Sequence, residues 1–160
     1  MGIRYYAYPV DADLIDAAKA CPRDFLGEDP LMDAWGPDDE RPRMLYLDKC
    51  WRELQLLFKG DGMRPDRPSI RLVSGNVRET GMGWIPHIAV LDPTEVSEIA
   101  TDLATVTSSE VRSMFAANPH LEERHGADEE FAYVTQYLRD ALTFTSELSD
   151  LGLGLVYMIG

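Results

Sequence analysis

The chain of 160 residues has only two cysteines, Cys21 and Cys50, and three histidines. Two cysteines cannot build a disulfide framework. Each falls in a helix-like pattern beside apolar residues, where a free thiol behaves as a small hydrophobe. Of the histidines, His87 stands alone, and His120 and His125 bracket Leu121-Glu122-Glu123-Arg124. A zincin needs two His four residues apart on one helical face. This pair, five apart, would sit about 140° from each other on a helix. No metal site is expected. Apolar runs are short as well, and none approaches the ~20 residues that span a bilayer. Met1-Gly2-Ile3-Arg4-Tyr5-Tyr6 lacks the order of a secretion signal, and Tyr6 stands where myristoylation wants Ser or Thr. The expected location is the cytoplasm.

Catalytic signatures are missing too. Ser74 lacks the Gly-x-Ser-x-Gly surroundings of a nucleophile elbow. Ser74-Gly75-Asn76 and Gly81-Met82-Gly83 lack the Lys-Ser/Thr ending of a phosphate loop and fit turns instead. No cofactor is expected.

Cations are scarce. Fifteen Lys and Arg face 28 Asp and Glu, for a net charge of −13. Nucleic acid and anionic membrane would repel such a surface. The deficit is uneven, however: residues 41–78 hold nine cations against four acids, so that segment is +5 and the rest −18. The basic segment either pairs across the fold with the acidic remainder or faces an anionic ligand.

What is present is the pattern of a globular protein, 45% hydrophobic and 27% charged. One domain over residues 1–160 fits this length and would bury roughly 70% of its unfolded surface. Ile3-Arg4-Tyr5-Tyr6-Ala7-Tyr8 reads as a strand ending at Pro9. A helix near 11–21 stops at Pro22. Residues 23–43, broken by Pro30, Gly36, Pro37 and Pro42, read as an irregular excursion anchored by Phe25, Leu26, Leu31, Met32 and Trp35. Leu47, Trp51, Leu54 and Phe58 recur at helical spacing over 47–59, with Asp48 in the first turn and Gly60 as the left-handed stop.

Ile70-Arg71-Leu72-Val73 reads as a short strand and 84–91 as another extended piece. Asp92-Pro93-Thr94-Glu95 is a capping box with proline at the first helical position, opening a helix over 93–106. Thr107-Ser108-Ser109-Glu110 repeats the box for 108–117. Residues 119–127 read as loop. The longest helix spans 127–151 and stops at Gly152, before a closing strand, Leu153-Gly154-Leu155-Val156-Tyr157-Met158-Ile159. That strand needs a partner, and the N-terminal strand offers itself. The fold expected is α+β: a small sheet holding both terminal strands, packed against about five helices.

Leu47-Asp48-Lys49-x-Trp51, continuing through Leu54 and Leu57 to Gly60, resembles the signature helix of the YfbM-like family, a domain of unknown function (DUF1877). Leu91-Asp92-Pro93-Thr94-Glu95-Val96 is similar to the family's helix start, and Phe144, Gly152 and Leu155-Val156-Tyr157 to its ending. The resemblance covers nearly the whole chain. It departs at Arg52 and Gln55, where relatives often carry His, and at Asn118-Pro119-His120, where they carry an aromatic-Pro segment. It implies a small bacterial α+β domain and supplies no catalytic residues.

Two functions follow as expectations. The first is a non-enzymatic, cytoplasmic protein-binding or regulatory module that holds a basic protein partner on its acidic surface. The second is an enzyme or small-anion binder with a pocket around Asp48, Lys49, Trp51 and Arg52, set in the one net-positive segment.

Overall fold

The computed structural model describes residues 2–122 and 126–160. His125 therefore lies outside the described residues. The main sheet has four antiparallel strands in the order β2-β1-β6-β5. These are β1 (Tyr5–Val10), β2 (Leu45–Asp48), β5 (His87–Leu91) and β6 (Gly154–Ile159). The two terminal strands lie side by side at its centre, from Tyr5↔Ile159 to Val10↔Gly154. A separate hairpin pairs β3 (Arg78–Thr80) with β4 (Gly83–Ile85).

Strand β1 runs through Pro9 rather than stopping there. Arg4 and Gly160 exchange both backbone hydrogen bonds, so Tyr6 and Tyr8 face β6 through their backbone while Pro9 belongs to the alternate set. Its missing N–H points to the side where β2 pairs only with Tyr5–Ala7. No ladder bond is lost, and the proline is tolerated.

Both faces of the sheet are covered. Tyr5, Ala7, Leu155, Tyr157 and Ile159 face the larger core with Trp51, Leu54, Phe58, Ile99 and Leu148. Tyr6, Tyr8, Val10 and Val156 face a smaller one with Ile15, Ala18 and Ala34. The helices are α1 (Ile15–Ala20), α2 (Pro30–Trp35), α3 (Trp51–Phe58), α4 (Ile70–Val73), α5 (Pro93–Leu103), α6 (Ser108–Ala117) and α7 (Ala127–Leu151). Helix α7 is the long spine, burying Val134, Ala141, Phe144, Thr145 and Leu148 and packing on α5 and α6.

The structure departs from the sequence pattern at several places. The excursion 23–43 contains α2, which Asp29 caps by accepting from the Met32 amide. Met32 and Trp35 do not anchor it: both are more than 60% exposed. Cys21 is exposed rather than packed. Ile70–Val73 is one helical turn, not a strand. Its terminal carbonyls are claimed by distant side chains: Tyr5 Oη donates to Leu72 O (2.9 Å), Gln55 Nε2 to Val73 O (2.5 Å) and Tyr157 Oη to Ser74 O (2.7 Å). A short 3-10 helix, Pro119–Leu121, tucks Leu121 into the core. Gly60 does not adopt a left-handed backbone, and α3 ends through an extended Lys59. Glycine is needed there because a Cβ would lie 2.0 Å from the Arg64 carbonyl oxygen.

Candidate functional site

The helix expected over 47–59 begins only at Trp51. Leu45–Asp48 is instead the edge strand β2, and Lys49-Cys50 turns the chain into α3. This turn places Asp48 at the end of a strand with φ +47°, a left-handed conformation that Asp tolerates better than most residues. Asp48 therefore caps no helix. Its carboxylate accepts from Arg4 Nε (3.0 Å), Tyr46 Oη (2.9 Å) and Tyr133 Oη (3.2 Å). Those donors come from the N-terminal segment, β2 and α7, so Asp48 ties three parts of the chain together at one point.

Beside this knot opens a cleft of about 820 Å³. Gly2 and Ile3 form one part of its wall, Asp48 and Lys49 the turn, Arg52 and Glu53 the start of α3. Glu129, Glu130 and Tyr133 come from the first turns of α7, and Trp84 from the hairpin. Three of the four candidate residues read from the sequence, Asp48, Lys49 and Arg52, thus line one cavity. Trp51 lies beneath it at 1% exposure, its indole Nε1 3.4 Å from the Ile3 carbonyl and its ring 5.1 Å from the Arg52 guanidinium. Trp51 supports the floor.

Two buried carboxylates, Glu53 and Glu130, and the exposed Glu129 face the same space. Sequence reasoning missed all three, together with Trp84 and Tyr133. The acids of α7 were legible only as favourable charges in a first helical turn, and nothing local says that this turn abuts α3. Burial, then the proximity of the Cys50 thiol, whose ionisation would oppose its own, and the Asp48 carboxylate push the Tyr133 hydroxyl well above its ordinary range. It remains a neutral donor to Asp48. Burial, then Glu53, Asp48 and Glu130, push the Cys50 thiol up as well. Cys50 stays protonated, the opposite of an activated nucleophile.

Among the described residues no group of three or more His, Cys, Asp and Glu is placed to hold a metal ion. His87 packs its ring against Tyr157, 6.0 Å between centroids, and against Gly75. Gln55 ties α3 to the end of α4 through its bonds to the Val73 and Gly75 carbonyls.

The model of a domain of unknown function, DUF1877, matches residues 1–158. The chain belongs to that family. No curated protein matches it. The crystal structure of YfbM from Escherichia coli, a protein of unknown function, is similar in fold. It aligns with a TM-score of 0.61 at 18% identity, over 99% of this chain and 100% of that one. In this DUF1877 domain the conspicuous Leu47-Asp48-Lys49-x-Trp51 run is the junction of an edge strand and a helix, with Asp48 as the knot and Trp51 as the buried support. No described helix is long and apolar enough to cross a membrane.

Proposed function

We propose that this DUF1877 domain is a non-enzymatic binding module of the cytoplasm that holds a basic segment of a protein partner in its cleft. The observation carrying this reading is the composition of the wall, where the carboxyl side chains Asp48, Glu53, Glu129 and Glu130 outnumber the cations Lys49 and Arg52 and Glu129 is exposed to a partner. The surroundings reinforce it. The basic segment 41–78 spends several cations internally, with Arg67 paired to Asp102 (3.1 Å) and Glu110 (2.6 Å), and Arg71 to Glu95 and Glu98. Those pairs leave the net charge of the molecule at −13, which draws a cationic partner and speeds its encounter.

The test is a titration of the purified protein with a lysine- and arginine-rich peptide and with its acidic counterpart, at low and at physiological salt. The basic peptide binds, weakens with salt, and is lost on Glu129→Lys, a change at an exposed position whose retained fold circular dichroism checks. Binding of the acidic peptide instead, or basic-peptide binding indifferent to Glu129→Lys, overturns the reading. Lys49 and Arg52 support a second reading, a seat for a small anion. Inorganic phosphate that binds the wild type and not Lys49→Ala would favour it.

A further inference from the structure

The hairpin β3–β4 has no core of its own. All six of its strand residues are exposed, and Met82 at the turn is fully so. A two-stranded ribbon of this size is marginal in isolation, and its aromatic residue is only partly covered. Trp84 keeps 44% of its surface open while lining the cleft. Register adds a second group. Glu79 is the direct cross-strand partner of Trp84, and directly opposed residues project from the same face with Cβ atoms about 5 Å apart. Arg78 pairs with Ile85 on the other face.

An indole with a carboxylate beside it is a seat for an organic cation. The ring attracts the cation through its π face, and the carboxylate accepts its N–H groups. The chain already uses this combination once: Arg4 lies 5.4 Å over the Trp35 ring and bonds Asp48 through Nε. Arg52 also covers an indole, with its guanidinium 5.1 Å from the Trp51 ring centroid. Among the described residues, no guanidinium covers Trp84.

We propose that the hairpin is a recognition arm whose Trp84 and Glu79 face, together with Glu129 across the cleft, seats the cationic side chain of an arginine or lysine from the bound segment. The proposal rests on reading the cleft as a site for a basic partner, and adds which group is recognised and by what. Arginine is the better occupant, because its planar guanidinium stacks on an indole while still offering N–H donors at its edge.

The experiment uses the full chain, with N-acetyl-arginine amide and the isosteric but neutral N-acetyl-citrulline amide as probes. Binding is followed by the indole N–H resonances and by calorimetry, with circular dichroism confirming the fold of each variant. The arginine amide moves the Trp84 indole signal and the citrulline amide does not. Trp84→Leu weakens arginine binding about fivefold. Trp84→Phe recovers part of the loss, and Glu79→Gln weakens binding as well. Equal binding of citrulline and arginine, or Trp84→Leu behaving as wild type, overturns the proposal. If the basic peptide still binds Trp84→Leu normally but fails on Glu129→Lys, the acidic-cleft reading survives and this assignment falls. If the peptide does not bind the wild type, both fall.

Discussion

Asp48 combines a backbone of φ +47° with hydrogen bonds from Arg4, Tyr46 and Tyr133. The two features can be separated by substitution. Asp48→Asn keeps a residue that accepts the left-handed conformation but removes the charge facing Arg4, and is expected to cost about 1–2 kcal/mol. Asp48→Ala adds backbone strain and leaves three donors without their acceptor, for about 3 kcal/mol. Urea unfolding of the two variants measures both numbers, and the order Asn milder than Ala is the essential point. Gly75 offers a cleaner case of local geometry. Its φ is +101° and a Cβ there would meet the His87 ring at 2.3 Å, so Gly75→Ala should cost at least about 2 kcal/mol in the same assay.

At the scale of elements, capping chemistry decides where helices begin. In α5 the Glu95 amide donates to Asp92 Oδ1 and the Asp92 amide to Glu95 Oε2, both at 2.9 Å. In α6 the Glu110 amide donates to Thr107 Oγ1 (3.2 Å) and the Thr107 amide to Glu110 Oε2 (2.8 Å). Thr107→Ala should lower stability by about 1 kcal/mol in thermal or chemical unfolding. The Thr107 amide holds the Glu110 carboxyl below its ordinary range. That contribution is present above the unfolded value of 4.5 and fades as the pH falls through the lower folded value.

These boxes were legible because the signal is contained within four residues, and the same holds for α7, whose bounds 127–151 follow from sustained periodicity. Asp29-Pro30 carries the same cap-and-proline signal as Asp92-Pro93, yet α2 is too short to show a stripe among its neighbouring prolines. Ile70–Val73 misled for a different reason. Its last two carbonyls are satisfied by Tyr5 and Gln55, and that of the capping Ser74 by Tyr157, and no local pattern can announce partners so distant. The same limit applies to the site. Asp48, Lys49 and Arg52 stood out because they are adjacent in sequence, whereas Glu129, Glu130, Tyr133 and Trp84 reach the cleft only through the packing of α7 and the hairpin.

For the molecule as a whole, the central strands are unusually rich in buried phenols, and this sets its alkaline limit. Burial is the main cause that raises the Tyr5 and Tyr6 hydroxyls of β1 and that of the half-buried Tyr137 on α7, with Tyr6 and Tyr137 each pushed up to about 12 from 10.0. A raised folded value means the native state keeps its proton where the unfolded chain has lost it. Stability from these groups is therefore complete below pH 10 and declines as the pH rises from 10 toward 12. A series of urea titrations across that window should show the fall, and Tyr6→Phe should make it shallower.

The sign of the whole surface also frames the cleft. Arg67 and Arg71 neutralise acids of α5 and α6, while the exposed Glu129 lines the cavity with Trp84. The most direct measurement is a two-dimensional amide spectrum of the full chain recorded while a basic peptide is added. Shifts concentrated at Gly2, Lys49, Glu129, Tyr133 and the Trp84 indole, and suppressed by added salt, are the predicted result. Shifts that avoid this cleft, or an unchanged spectrum at low salt, would contradict it.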